Sequence, residues 1–233
     1  MSLIKNAKGR NDGNSGYTRV LGNDELGSLI SKVQATVISN GTELERMILN
    51  LSNNISNLDK FIDDATSGLI EDNVYICPKK VYAKSSYLVY DNQQKKIEPD
   101  LLIFIVERKR ICKVVELKDG DAFDTKKSSG EKEHLELFVQ KFGAKIPFVA
   151  EYFICCFNQN NKNIIYEGFK GCFSLEHILT GKELCEILNI SYDDIVNQRK
   201  KDADANLKYF IDELLKIDDI NNLIEEAWKE KKN

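Results

Sequence analysis

Leu44, Ile48, Leu51, Ile55, Leu58 and Ile62 recur at alternating spacings of four and three residues. That is one apolar stripe of a long amphipathic helix. The helix is expected to start near Gly41, because Thr42 and Glu45 form a T-x-x-E capping box there. Residues 1–28 carry Gly9, Gly13, Gly16, Gly22 and Gly27 and are expected to form a loop or arm. Beyond the helix the pattern changes. Val74–Tyr82 and Ser86–Tyr90 are rich in Val, Ile and Tyr and read as strands. Leu101–Val106 and Ile111–Leu117 are continuous apolar runs separated by the short polar segment Glu107–Arg110. So short a connection cannot make a crossover, so the two runs should form an antiparallel hairpin.

Gly130–Phe142 reads as a helix with Leu135, Phe138 and Phe142 on one stripe. Phe148–Phe157 is almost wholly apolar, as a central strand covered on both faces would be. Asn163–Phe169 is expected to be a further strand. The remainder reads as helical. Thr180-x-x-Glu183 is a capping box, Ser191-x-x-Asp194 is a weaker version of one, and Leu207–Ile217 and Ile220–Trp228 complete the chain. The fold class predicted is α/β: a mixed central β-sheet flanked by α-helices, with a helical C-terminal region. A single domain over 1–233 is expected, with an arm at 1–40, a core at 41–170 and the helical region at 171–233.

Composition narrows the class. The chain has 233 residues, 42% hydrophobic and 30% charged, which suits a globular protein and excludes disordered and collagen-like classes. No apolar run approaches the ~18 residues of a membrane span, and the polar N-terminus lacks a secretory signal. A cytoplasmic protein with no membrane partner is expected. The net charge is −4, and residues 202–233 alone hold 9 acidic and 5 basic side chains, so the preceding body is balanced. Within that body lie basic clusters at Lys79-Lys80-Lys84, Lys95-Lys96, Arg108-Lys109-Arg110, Lys126-Lys127 and Arg199-Lys200-Lys201. They permit a polyanion-binding cleft. The six cysteines form no C-x-x-C pair, which argues against a zinc ribbon. Cys155 and Cys156, inside Phe153–Phe157, read as small buried hydrophobes. His134 and His177 are far apart, accompany no nucleophile motif and read as structural.

The segment with chemical content is Glu98-Pro99-Asp100, then fifteen residues, then Glu116-Leu117-Lys118. Glu116 and Lys118 are two apart on a strand and share a face. Burying them is costly unless they are paired or hold a metal. If the hairpin forms, it returns Asp100 to their level. Asp100 shares their face only if the loop has an odd number of residues, since a two-residue loop turns it to the other face. Two carboxylates can hold Mg²⁺, and a nearby lysine can orient or activate water. The chemistry would be metal-assisted hydrolysis of a phosphodiester.

This constellation resembles the PD-(D/E)XK nuclease superfamily. The resemblance rests on Pro99-Asp100 and Glu116-Leu117-Lys118, the apolar strands between them, and the order helix, strands, hairpin, helix, buried strand. It implies a restriction-endonuclease-like core, with Asp100 and Glu116 as Mg²⁺ ligands and the Leu117 carbonyl as a third. It implies Lys118 as the residue that orients or activates water. Members often carry another acid on a preceding helix, four residues after a glycine. Gly41-Thr-Glu-Leu-Glu45 is similar, making Glu45 the candidate and Glu43 the reserve. The capping box alone also accounts for Glu45. The text ELKDGDAFDTKK is similar in texture to type II restriction endonucleases, and Lys126, Lys127 and Lys132 are candidates for phosphate contacts. The Q-x-x-x-Y of RecB-type exonucleases is missing, since Gln140 is followed four residues on by Ala144.

The expectation is therefore a Mg²⁺-dependent restriction endonuclease cutting double-stranded DNA, working as a homodimer because a two-fold protein suits a palindromic site. A repair or junction-resolving nuclease and a non-catalytic interaction protein are the alternatives. Residues 1–28 and 158–200 are candidates for reading bases.

Overall fold

The computed structural model describes residues 3–10, 12–88, 98–120 and 125–231, the side chains of 125–127 excepted. In chain order its elements begin with α1 (Gly16–Leu21), α2 (Asp24–Leu51), α3 (Leu58–Thr66), β1 (Asn73–Pro78) and α4 (Lys79–Tyr82). Then come β2 (Leu101–Val106), β3 (Ile111–Lys118), α5 (Thr125–Gly143), β4 (Val149–Cys156) and α6 (Lys162–Gly168). The chain finishes with β5 (Ile178–Thr180), α7 (Gly181–Leu188), α8 (Tyr192–Leu214) and α9 (Asp218–Lys231). Two compact units result, one from residues 1–44 with 193–233 and one from residues 45–192.

The first unit is helical. Residues 1–28 are not the loop their glycines suggested, because α1 lies within them and α2 begins at Asp24. Ser15 caps α1 by accepting from the Thr18 N–H at 3.0 Å, and Gly22, at φ 68°, ends it in the left-handed region that glycine tolerates. Gly27 is needed for a different reason. A Cβ there would lie 2.1 Å from the Thr18 hydroxyl oxygen, so the missing side chain allows α1 and α2 to touch.

The second unit holds a five-stranded sheet in the order β1-β2-β3-β4-β5. The β1–β2 and β2–β3 pairs are antiparallel, and β3, β4 and β5 run parallel to one another. The sheet is mixed and helix-flanked, as the pattern predicted. Period two sorts the hairpin's side chains. Leu102, Phe104 and Val106 of β2 and Cys112 and Val114 of β3 enter one core with Phe61 and Ile62 of α3 and Leu135, Phe138 and Phe142 of α5. Phe104 is its hub, with ring centroids 5.1 Å from Phe61 and 5.0 Å from Phe148. Cys155 and Cys156 are buried, and all six cysteines are free.

Several elements differ from expectation. The helix predicted from Gly41 through Ile62 is two helices. Upstream its stripe extends through the buried Leu29 and Thr36, so Thr42 and Glu45 lie mid-helix and form no capping box. Downstream it breaks after Leu51, where Asn53 and Ile55 exchange backbone hydrogen bonds with Ile76 of β1 and Asn57 caps α3. Val74–Tyr82 is strand only to Pro78, then α4. The strand expected at Ser86–Tyr90 is a turn at Ser86 and Tyr87, where Asp59 accepts from the Ser86 N–H at 3.0 Å; residues 89–90 lie outside the described residues. Asn163–Phe169 is the helix α6, capped by Asn161, with Ile165 and Phe169 buried at helical spacing. Elsewhere the capping box at Thr180 and Glu183 forms as read. Among the described residues no helix is long and apolar enough to cross a membrane.

Candidate active site

The β2–β3 ladder pairs Leu101 with Val115 through Ile105 with Ile111, leaving residues 106–110 as an odd loop. Extending that register by one places Asp100 opposite Glu116, and by two places Pro99 opposite Leu117. Asp100, Glu116 and Lys118 therefore continue the face whose earlier positions, Leu102, Cys112 and Val114, are core. The charged residues occupy the end of that face.

Pro99 explains a local break in the ladder. It has no N–H to donate, and its carbonyl accepts from the buried Tyr82 hydroxyl. The Leu117 N–H therefore does not pair with Pro99. It donates to the Asp100 carboxylate, Oδ2, at 2.8 Å. A strand residue's N–H and C=O point to the same edge. The Leu117 carbonyl thus faces the β2 edge, opposite Pro99, which has no N–H to donate to it.

Lys118 lies between two acids. Its Nζ donates to Glu116 Oε1 at 2.7 Å and to Glu131 Oε1 at 2.8 Å. The Glu116 carboxyl is pushed up to about 7 by burial and by the Asp100 charge, against the pull of Lys118. Asp100 is also raised, first by burial and further by Glu45, while the Leu117 N–H and the Lys118 and Lys79 charges oppose the shift. For Lys118, burial disfavours the charge, but Glu116 and Glu131 outweigh it and the ammonium is held more firmly than usual. Glu45, on α2, is raised by burial, with Lys79 and Lys80 pulling the other way. Lys79 pairs with Glu98 at 2.9 Å, and the charges of Asp100 and Glu116 add to its upward shift.

Against that geometry stands a likeness to a known enzyme. The type II restriction enzyme HhaII of Haemophilus parahaemolyticus is 61% identical over 229 residues, covering 98% of this chain and 100% of that one. The chain belongs to the type II restriction enzymes. This restriction enzyme is thus a hydrolase, a site-specific deoxyribonuclease. No family model matches the sequence, and no solved structure matches it.

In the restriction enzyme the residues picked from sequence converge only in part. Asp100, Glu116, Leu117 and Lys118 come together, and Glu45 is near enough for its charge to act on Asp100. Glu43 is two positions earlier on α2, roughly 200° around the helix from Glu45. Lys126 and Lys127 fall in the first turn of α5, and their side chains lie outside the described residues. Lys132 pairs with Glu136 at 3.7 Å. His177 stacks on Tyr152 with centroids 4.1 Å apart and serves packing. Sequence reasoning missed Glu131 altogether and gave Lys79 and Glu98 no role in the site. Glu131 had one signal: it sits four residues before Leu135, on the apolar stripe of α5.

The donor set bears on which cation could bind. No group of three or more His, Cys, Asp or Glu among the described residues is disposed to hold a metal ion. The side chains supply two buried carboxylates, and the Asp100 charge raises the affinity of Glu116 for a proton. An all-oxygen pair of that kind fits Mg²⁺, which is held by one or two carboxylates and keeps several waters.

Proposed function

We propose that the restriction enzyme hydrolyses phosphodiesters of double-stranded DNA with Mg²⁺ held by Asp100, Glu116 and the Leu117 carbonyl. The centre is of the PD-(D/E)XK kind. The observation that carries this reading is the Lys118 ammonium 2.7 Å from Glu116, on the strand whose Leu117 N–H holds Asp100 at 2.8 Å. When bound, Mg²⁺ would polarise the phosphoryl oxygen and make a bound water more acidic.

The chain's own groups do the rest. The Leu117 N–H fixes one Asp100 oxygen, so that carboxylate is oriented before any ligand arrives. Burial removes competing water and strengthens each charge at the site. Lys118 is held protonated by its two acids, so it donates hydrogen bonds to the attacking water or the phosphate. On this reading it orients water rather than abstracting a proton, the first of the two roles the resemblance implied. Lys79 adds positive charge beside the same carboxylates. Glu45 adds negative charge next to Asp100, as an outer acid. Lys126 and Lys127 would meet the DNA backbone from the start of α5. A homodimer would match the two-fold symmetry of a palindromic site.

The test is digestion of a long double-stranded DNA with the purified protein, the ends mapped by sequencing. Cuts at one short recurrent sequence are expected with Mg²⁺ and none with EDTA. Unchanged cutting in EDTA would overturn the metal-dependent reading, and cuts scattered without a common sequence would overturn the site-specific one. Sedimentation of the protein with a cognate duplex gives the stoichiometry, where one chain per duplex would contradict the dimer.

A further inference from the structure

We infer that Glu131 is a positioning residue, fixing the Lys118 ammonium where the cleavage step needs it; this rests on the reading of Asp100, Glu116 and Lys118 above. The first observation is where Glu131 sits. Leu135, Phe138 and Phe142, at helical spacing from it, are all buried in the core. The stripe calls for an apolar side chain at 131 and has a carboxylate instead. Glu131 is largely covered, its side chain 27% exposed, so its charge is partly desolvated. Charges so placed contribute little net stability, and well-packed apolar residues often do as well or better.

The second observation is how Glu131 is satisfied. Oε1 accepts from Lys118 Nζ at 2.8 Å. Oε2 is buried and has no hydrogen-bond partner among the described residues. Leaving a buried carboxylate oxygen without a partner destabilises the fold. A side chain selected only to stabilise the helix would not leave it so. The geometry has a different result. A lysine amine on a four-carbon stem is mobile unless pinned from two sides. Glu116 pins Nζ from its own strand, 2.7 Å away, and Glu131 pins it from α5. The two acids come from different elements, so Nζ is fixed relative to the sheet end rather than along one strand.

Two variants test this, with cleavage of a plasmid that the unaltered enzyme cuts in Mg²⁺. Glu131→Leu completes the apolar stripe, so it should fold with an unchanged or higher melting temperature. Its kcat should fall on the order of 100-fold, the scale of a catalytic group displaced by about 1 Å. KM for the plasmid and the affinity for Mn²⁺ by calorimetry should hold. Glu131→Gln keeps an oxygen acceptor for Nζ without the charge and should retain more kcat than Leu does; it also carries the test if the Leu variant misfolds. Full kcat in both variants overturns the inference and makes Glu131 a plain ion-pair partner. Loss of Mn²⁺ binding in both also overturns it, because Glu131 would then be a cation ligand. Lys118→Met serves as the control for the parent reading. If it is inactive while Glu131→Leu is fully active, only the role of Glu131 fails. If Lys118→Met cuts at full rate, the parent reading fails with it.

Discussion

Replacing Glu116 by Gln should make the cation-free protein more stable even as it removes activity. The Glu116 carboxyl, ordinarily near 4.5, is pushed to about 7 by burial and by Asp100. The unfolded chain therefore gives up this proton at lower pH than the folded one. Stability from this group is unaffected below 4.5, falls as pH rises toward 7, and stays lowered above it. At ~1.4 kcal/mol per pH unit of displacement, the ionised group costs the fold at most about 3 kcal/mol. Glutamine keeps the shape and removes the charge. It also weakens the bond to Lys118, which offsets part of the gain, although Glu131 still holds that ammonium. A net gain of about 1–3 kcal/mol at pH 8 remains, and at roughly 2–4 °C per kcal/mol the melting temperature rises by several degrees. The assay is calorimetric melting of both proteins in EDTA from pH 4 to pH 8. The gain should vanish toward the acid end. Added Mg²⁺ should raise the melting temperature of the parent and not of the variant. A variant less stable than its parent at pH 8 in EDTA would refute the reasoning, because the carboxylate would then be a net stabiliser.

The other predictions concern the scaffold. Tyr82→Phe removes the hydroxyl that serves the Pro99 carbonyl and should cost about 1–3 kcal/mol in urea melts; cleavage should also slow, since Pro99 sets Asp100. Phe104→Ala empties the centre of the aromatic cluster and should cost about 3–5 kcal/mol by the same measurement. Thr180→Ala breaks a capping box that is complete on both sides and should cost about 1 kcal/mol while leaving Mn²⁺ affinity unchanged.

The hairpin was legible because strand chemistry has a period of two. Once Leu101–Val106 and Ile111–Lys118 pair, the parity of 100, 116 and 118 decides whether the charges share a face. The capping box at Thr180 was legible because it is local. What was missed was settled by distant partners. The spacing of four and three ran on past Ser52-Asn53-Asn54, yet that segment gives its hydrogen bonds to Ile76 of β1. The glycines upstream suggested a loop, but Gly27 is required by contact with Thr18 inside a helical unit. Asn163–Phe169 has the β-branched and aromatic content of a strand, but Asn161 caps it and Ile165 and Phe169 bury one helical face. The β5 strand has three residues, Ile178–Thr180, too few to show a period. Glu131 reaches the site from a crossover helix, so no local motif announces it. The fault it makes in the stripe of α5 is the trace it leaves.

The central claim is that Asp100 and Glu116 together grip one divalent cation. Titration calorimetry with Mn²⁺ addresses it directly, using the unaltered protein, Asp100→Asn and Glu116→Gln, each shown by circular dichroism to be folded. Binding by the unaltered protein, with the heat lost in both variants, is the expected result. Undiminished Mn²⁺ binding by either folded variant would contradict the account.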